Sequence, residues 1–496
     1  MAAPHKKPVS FPFGTPALIG LLLGIAGVAY AMTKLGYLYG TALCLLPLVL
    51  YTVLYAVKNP YWAYTWVFII NYFVMGIIRY VPGLPAGIVM DCLLAFTLFT
   101  LLIRTCYKHV GWERARNGLS LAATVWLVYC LLEVFNTQSE SFTAWAGSIR
   151  GMAIYFFVVA VLTPIIFYRY RDLQRILTIW SILTLLAVLK SIVQKYHGFD
   201  GPELRWLFEE GGYTTHIIRS GVRYFSFFSD AANFGSGMGF SMVVFSITAL
   251  FCRNGWLRLY FLLVALAAAY GMMISGTRGA LAVPFAGYTL GVLLSKNAKV
   301  IFFGTVLLIG TFLFLNFTTI GQGNANIRRM RSAFNFQDKS LVVRLENQKL
   351  IRAYMKDKPF GAGLGHGGGK AKRYVPDAYL SQIPTDSWFV MVWVETGIVG
   401  LALHIAILCY IIAYGSYLVL FRIRDPQLRG TICALVAGVF GMAATSYGNE
   451  ILGQFPNSLT VYMCQAFIFL APRFDEELRR AKEKKTVEKH EYRHES

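Results

Sequence analysis

Charge is what this chain has least of. Asp, Glu, Lys and Arg make up 14% of its 496 residues, against roughly 25% in an ordinary soluble domain. With 56% hydrophobic residues and a mean hydropathy of +0.53, that shortfall excludes a soluble globular protein and leaves a polytopic membrane protein. Cysteine forms no framework. Cys44, Cys92, Cys106, Cys130, Cys252, Cys409, Cys433 and Cys464 all lie in or beside apolar stretches, and none has CxxC spacing. That placement argues against a disulfide scaffold and against a cysteine metal site. The first apolar stretch lacks a convincing cleavage site and is followed at once by another, so it reads as a span rather than a signal peptide. Acid is scarcer than base, for a net charge of +21. In so apolar a chain the excess marks cytoplasmic loops and anionic lipid contacts, not nucleic acid.

What is present is a succession of apolar stretches. A bilayer core needs about 20 apolar residues per helix. On that ruler the chain offers fourteen candidate spans, at 15–33, 37–57, 61–80, 85–105, 117–135, 149–168, 174–194, 231–252, 258–275, 279–295, 300–318, 388–415, 430–447 and 457–472. The expected organisation is a tail at 1–14, eleven spans in 15–318, a large loop at 319–387, three spans in 388–472 and a charged tail at 473–496. The expected fold class is all-α: a polytopic membrane protein with about fourteen transmembrane helices and one large outer loop containing short helices. Lys and Arg test the count, because they favour cytoplasmic loops. With Lys6 and Lys7 inside, the inner loops hold Lys58, Arg104, Arg169, Arg253, Lys296 and Arg422 among others, whereas the outer loops 136–148 and 448–456 hold no Lys or Arg. Both termini are therefore expected in the cytoplasm.

Three outer segments are not blank. Residues 195–230 form a medium loop, 276–278 a tight turn, and 319–387 a loop of net charge +7. Long loops escape the charge rule, so this one points to an anionic partner instead. Within it Ser340–Met355 has a helical apolar pattern, capped by Asp338 or Ser340 and ended by Pro359-Phe360-Gly361.

Arg278, in Ser275-Gly276-Thr277-Arg278-Gly279, stands between two apolar stretches. A charge near membrane depth costs several kcal/mol unless paired or solvated. Its guanidinium offers phosphate a bidentate fork that stays charged, although an arginine can also snorkel to the headgroups. Arg219 and Arg223 are interleaved with aromatics ahead of Asp230 and Asn233. They could hold a sugar–phosphate headgroup or simply anchor an interfacial aromatic belt. The run Gly361-Ala362-Gly363-Leu364-Gly365-His366 is not a P-loop: Leu364 stands where the leading glycine belongs, and Ala371 replaces the Ser or Thr after Lys370. His366 is the one histidine of the large loop and a candidate base near neutral pH. Asp386, at the loop-to-helix junction, reads as an N-cap or as a base for an acceptor hydroxyl. Glu395 lies inside an apolar span and requires a partner. His404, deeper still, reads as packed against a neighbour.

Together these residues resemble the O-antigen ligase / O-antigen polymerase family. Ser275-Gly276-Thr277-Arg278-Gly279-Ala280 is similar to the family's Ser-x-Ser-Arg-Gly segment. Asp338-Lys339-Ser340 through Arg344 to Pro359 and Gly361, Gly363 and Gly365 is similar to its Asp-x-Ser…Arg…Pro-x-Gly-x-Gly-x-Gly run. Asp386-Ser387, followed nine residues later by Gly397 to Gly400, is similar to its His-Asn/Ser-x9-Gly-x-x-Gly segment, with Asp386 standing where ligases carry His and polymerase-like members often carry Asp. Arg223 to Asn233 matches a weaker upstream pattern. The resemblance spans about residues 215–405. It implies glycan transfer on the periplasmic face of the bacterial inner membrane, independent of metal and without a cofactor. The donor would be a glycan on undecaprenyl diphosphate, and the acceptor a hydroxyl of a glycolipid or glycan. Arg278, with Arg219, Arg223 or Arg344, would hold the diphosphate, and Asp386 or His366 would prepare the acceptor. Gly361, Gly363, Gly365, Glu395, Gly397 and Gly400 would be motif positions, and the spans would form a groove for the lipid tail. A polymerase is the first alternative and a transporter the second. The latter would favour polar groups at mid-membrane and internal repeats, which the sequence does not display.

Overall fold

The computed structural model describes residues 37–494 except 219, 220, 297, 324 and 333–338, together with residues 24, 27, 30 and 33. The N-terminal tail and nearly all of the expected 15–33 span lie outside these residues, as do Arg219 and Asp338. What is described is almost entirely helical, as expected for an all-α membrane protein. Among the described residues, the only strand pairing is a short antiparallel ladder that joins Ile217 to Val222 and Ile218 to Gly221.

Nine helices among the described residues are long and apolar enough to cross a membrane. We label the principal helices in chain order: α1 Tyr37–Lys58, α2 Pro60–Tyr80, α3 Ala86–Tyr107, α4 Gly118–Leu132, α5 Phe142–Ile166, α6 Tyr170–Tyr196, α7 Ala231–Phe251, α8 Gly255–Ile274, α9 Ala282–Leu293, α10 Ala298–Phe317, α11 Ala325–Arg331, α12 Lys339–Tyr354, α13 Trp388–Tyr417, α14 Pro426–Thr445 and α15 Asn457–His494. The nine are α2 to α8, α13 and α14. The expected spans 37–57, 279–295, 300–318 and 457–472 fall on α1, α9, α10 and the apolar first half of α15. Three of these four are continuous helices, and one is interrupted. Span 279–295 is a 3-10 turn, Arg278–Leu281, followed by only 12 residues of α-helix.

Small residues decide which helices lie innermost. Helix α7 carries Gly235, Gly237 and Gly239 along its buried length. A Cβ on Gly235 would stand 2.3 Å from Ser275 Oγ, and one on Gly441 of α14 would stand 2.5 Å from the Val283 carbonyl oxygen of α9. Without side chains at these points, α7, α8, α9 and α14 pack backbone to backbone, as small residues permit between membrane helices.

The basic loops gather at one end of the bundle. Asp425 accepts from Arg253 at 3.1 Å and from Lys482 at 2.7 Å, while Arg114 and Arg473 both lie over the Tyr168 ring. The opposite end carries the large loop and the candidate site. The 195–230 segment there is more structured than a plain loop, with short helices at Gly201–Phe208 and Tyr213–His216 leading into the ladder. In the large loop α12 runs from Lys339 to Tyr354. Ser340 is therefore inside the helix rather than its cap, as its one-position offset from the helix start requires. Ile351 and Met355 join Ala362, Leu380, Ile383, Val390 and Val394 in a separate small core that seats the loop on the first turns of α13.

Candidate functional site

Arg278 opens the 3-10 turn between α8 and α9. The turn is pinned from both sides. Thr277 Oγ1 donates to the Ala231 carbonyl at the start of α7 at 2.8 Å, and Thr445 Oγ1 at the end of α14 donates to the Gly279 carbonyl at 2.7 Å. Arg223, delivered by the ladder, donates from Nη2 to Thr277 Oγ1 at 2.8 Å and from Nη1 to the Thr215 carbonyl at 2.9 Å. Its Nε is buried and has no hydrogen-bond partner among the described residues. Burial pulls the Arg223 guanidinium below its ordinary range; Asp230 opposes the shift, and Arg278 and Arg344 add to it. Arg329 of α11 donates to the Gly276 carbonyl, and Arg278 Nη1 approaches Ser332 Oγ at 3.4 Å. Three guanidiniums from segments far apart in sequence thus share one electrostatic neighbourhood, with a fourth at the same turn. Asp230, the carboxylate whose charge acts on Arg223, already accepts from Ala232 N and Asn233 N as the cap of α7. Such an arrangement favours a polyanion, and guanidinium forks match phosphate oxygens.

Asp386 borders this neighbourhood from the other side. It is not the N-cap of α13. That position belongs to Ser387, whose Oγ accepts from Val390 N. Adjacent Asp and Ser residues can both cap, and here the helix begins one residue later than the Asp would require. Asp386 instead adopts φ 51°, a left-handed conformation that non-glycine residues hold at a cost and that clusters at functional sites. Its carboxylate is thereby released from capping. Burial lifts the Asp386 carboxyl above the usual aspartate range; Arg344 opposes this and Glu450 reinforces it. The Arg344 guanidinium comes within 3.6 Å of where a Cβ on Gly448 would stand, so α12 is brought against the 446–450 turn.

His366 lies apart from these charges. It is buried, its Nε2 accepts from Glu140 N at 3.1 Å, and its Nδ1 donates to the Leu364 carbonyl at 3.1 Å. Both ring nitrogens are used by the protein, which joins the large loop to the 136–148 segment. The glycine run is likewise a packing device. Gly361 (φ 85°) meets Gly397 (φ 68°), where a Cβ on Gly397 would stand 1.9 Å from the Pro359 carbonyl oxygen. Gly397 interrupts α13, and Ala362 N donates to the Val394 carbonyl at 2.8 Å. Gly363 faces Ser139 and Gly365 faces the Ala144 carbonyl, so the run closes onto α13 on one side and the 139–144 backbone on the other. Gly400 sits against Thr396 and Tyr129. Glu395, 3% exposed, finds its partners in the backbone N–H groups of Gly365 and Gly367. His404 accepts from Trp388 Nε1 of its own helix at 3.0 Å.

Sequence reasoning missed Glu450. Its Oε2 receives Lys370 Nζ at 2.9 Å and its other oxygen receives the Thr385 hydroxyl. A cavity of about 750 Å³ opens between α7, α8, α9, α10 and α14, lined by Met272, Leu281, Phe285, Tyr288 and Leu308 among others. Leu281, which lines the cavity, closes the same 3-10 turn that Arg278 opens.

A bundle of apolar helices with an arginine-rich site at one end and an apolar cavity among the helices defines a membrane protein. Residues 262–405 match the model of the O-antigen ligase family. Among curated proteins, an O-antigen polymerase of Salmonella muenchen is 26% identical over 348 residues, covering 65% of this chain and 81% of the relative. These findings show a likeness to the O-antigen ligase/polymerase family, in the family model through the centre of the chain and in the relative over 65% of its length. The matched stretch contains Arg278, Arg344, Asp386, Glu395 and Gly397, while Arg223 and Glu450 lie outside it.

Proposed function

We propose that this protein transfers a glycan from undecaprenyl diphosphate to an acceptor hydroxyl on the periplasmic face of the bacterial inner membrane, with both termini in the cytoplasm. The observation that carries the reading is the gathering of Arg223, Arg278 and Arg344 in one electrostatic neighbourhood, which Arg344 extends to Asp386. The cavity takes the polyprenyl chain. Arg278 and Arg223 hold the diphosphate, and Arg344 bridges from it towards Asp386. The acceptor oxygen attacks the anomeric carbon of the donor sugar. The new C–O bond forms as the bond to the phosphate oxygen breaks, the electron pair leaves on undecaprenyl diphosphate, and Asp386 takes the hydroxyl proton. Guanidiniums aimed at the leaving group stabilise the charge that develops there, so the proposed reaction is independent of metal.

The acceptor is proposed as a glycolipid in a ligase or a second lipid-linked glycan in a polymerase. The likeness to a curated O-antigen polymerase and the presence of Asp at position 386 favour the polymerase reading. A deletion strain separates the two. Full-length glycan stranded on the lipid carrier supports a ligase, and glycan cut to a single repeat supports a polymerase. An unchanged surface glycan and carrier pool would refute both.

A further inference from the structure

We infer that Glu450 is a positioning residue for the transfer, orienting Asp386 and acting on its charge from the segment between α14 and α15. The inference rests on the reading of Asp386 as the base. Glu450 comes from the last outer turn of the chain, more than sixty residues after Asp386 in sequence. Its side chain is only 16% exposed. One carboxylate oxygen receives the hydroxyl of Thr385, the residue directly before Asp386, and the other receives Lys370 Nζ at 2.9 Å. The same turn is tied to the start of α13 by Trp388 N, which donates to the carbonyls of Ser446 at 3.0 Å and Asn449 at 3.3 Å.

These contacts clamp both flanks of a residue held at φ 51°. A left-handed aspartate persists only when its surroundings over-determine it, and Thr385–Glu450 on one side with Ser387–Val390 on the other supplies that constraint. Charge adds a second effect. Asp386 faces Arg344 from α12 and Glu450 from the 446–456 segment, and Lys370 reaches Glu450 from the large loop. Arg344 favours the ionised aspartate, whereas Glu450 makes it hold a proton more tightly and Lys370 moderates Glu450. The balance sets how strong a base Asp386 is while a diphosphate occupies the arginines.

The test measures kcat against pH for the full-length protein in lipid nanodiscs, with lipid-linked glycan extracted from a deletion strain as donor. Glu450→Gln removes the charge and keeps an acceptor for Thr385. It is expected to move the acid limb down by roughly half to one pH unit, within the spread that folded proteins impose on carboxylates. It should also lower kcat by roughly tenfold, part of the roughly 10²–10⁴ that base catalysis contributes. Lys370→Met is expected to move the limb the opposite way, and it carries the test alone if Glu450→Gln does not fold. An acid limb that stays in place in folded Glu450→Gln, or in Lys370→Met, would overturn the role of Glu450, even with a reduced rate. A wild-type rate and limb in Asp386→Asn would instead remove the underlying reading of the base.

Discussion

Replacing Gly397 with alanine should unseat the large loop from α13. The new Cβ would stand 1.9 Å from the Pro359 carbonyl oxygen and 2.5 Å from Gly361 N, both backbone atoms. Neither can rotate away. Holding alanine at φ 68° costs about 1–2 kcal/mol by itself. Relieving the clash requires residues 359–361 to withdraw. That surrenders the bonds from Ala362 N to the Val394 carbonyl at 2.8 Å and from Val399 N to the Pro359 carbonyl at 3.3 Å, each worth about 1 kcal/mol net. The sum is about 3–4 kcal/mol, or a fall in Tm of about 3–5 °C for a chain of this length. Thermal unfolding in detergent measures the loss, and limited proteolysis of 359–369 should show the segment newly accessible. Gly361→Ala meets the same contact, so the double variant should be less destabilised than the two singles added together. Gly369→Ala, with nothing within 4 Å of its Cβ, should be neutral. A Gly397→Ala protein with wild-type Tm and an unchanged cleavage pattern would refute this account of the kink.

The remaining predictions concern the charged groups. Arg278→Ala should fold and lose roughly 10²–10³ in kcat, the scale for removing one preorganised donor; Arg278→Lys should restore little, since an ammonium lacks the bidentate fork. Asp386→Asn should abolish the acid limb of the rate profile. Because the carboxyl is lifted above the usual aspartate range and works ionised, wild-type activity should fall as pH drops through that raised value, at a higher pH than for an exposed aspartate. His366→Ala should cost about 1–3 kcal/mol, chiefly by leaving the buried Leu364 carbonyl unpaired and by losing the bond from Glu140 N, while the acid limb stays in place. Retention of the limb in Asp386→Asn together with its loss in His366→Ala would exchange the two roles.

Much of the fold was legible because the bilayer forces it. Runs of apolar residues near 20 long have few other destinations, and the basic loops expected on one side do meet around Asp425 and Tyr168. Arg278 stood out for the same reason, as a charge with glycine and serine beside it between two apolar stretches. The rest depends on contacts distant in sequence. Nothing local to Glu450 announces a role, since an acid in an outer loop is ordinary until Thr385 and Lys370 are brought to it. Glu395 announced a need for a partner but not the partner, because backbone N–H groups leave no side-chain signature. Asp386 and Ser387 are both competent caps, and only the helix register decides between them. His366 looked available because its loop reads as solvent-exposed; burial against 136–148 consumes both nitrogens.

The central claim is that the arginine site holds a lipid diphosphate while Asp386 activates the acceptor. It is tested most directly by incubating purified protein in nanodiscs with radiolabelled undecaprenyl-diphosphate-linked glycan and following free carrier and extended glycan together. The account predicts that the wild type releases undecaprenyl diphosphate in step with new glycosidic bonds, and that folded Arg278→Ala and Asp386→Asn release almost none. Transfer at the wild-type rate by either variant would contradict it.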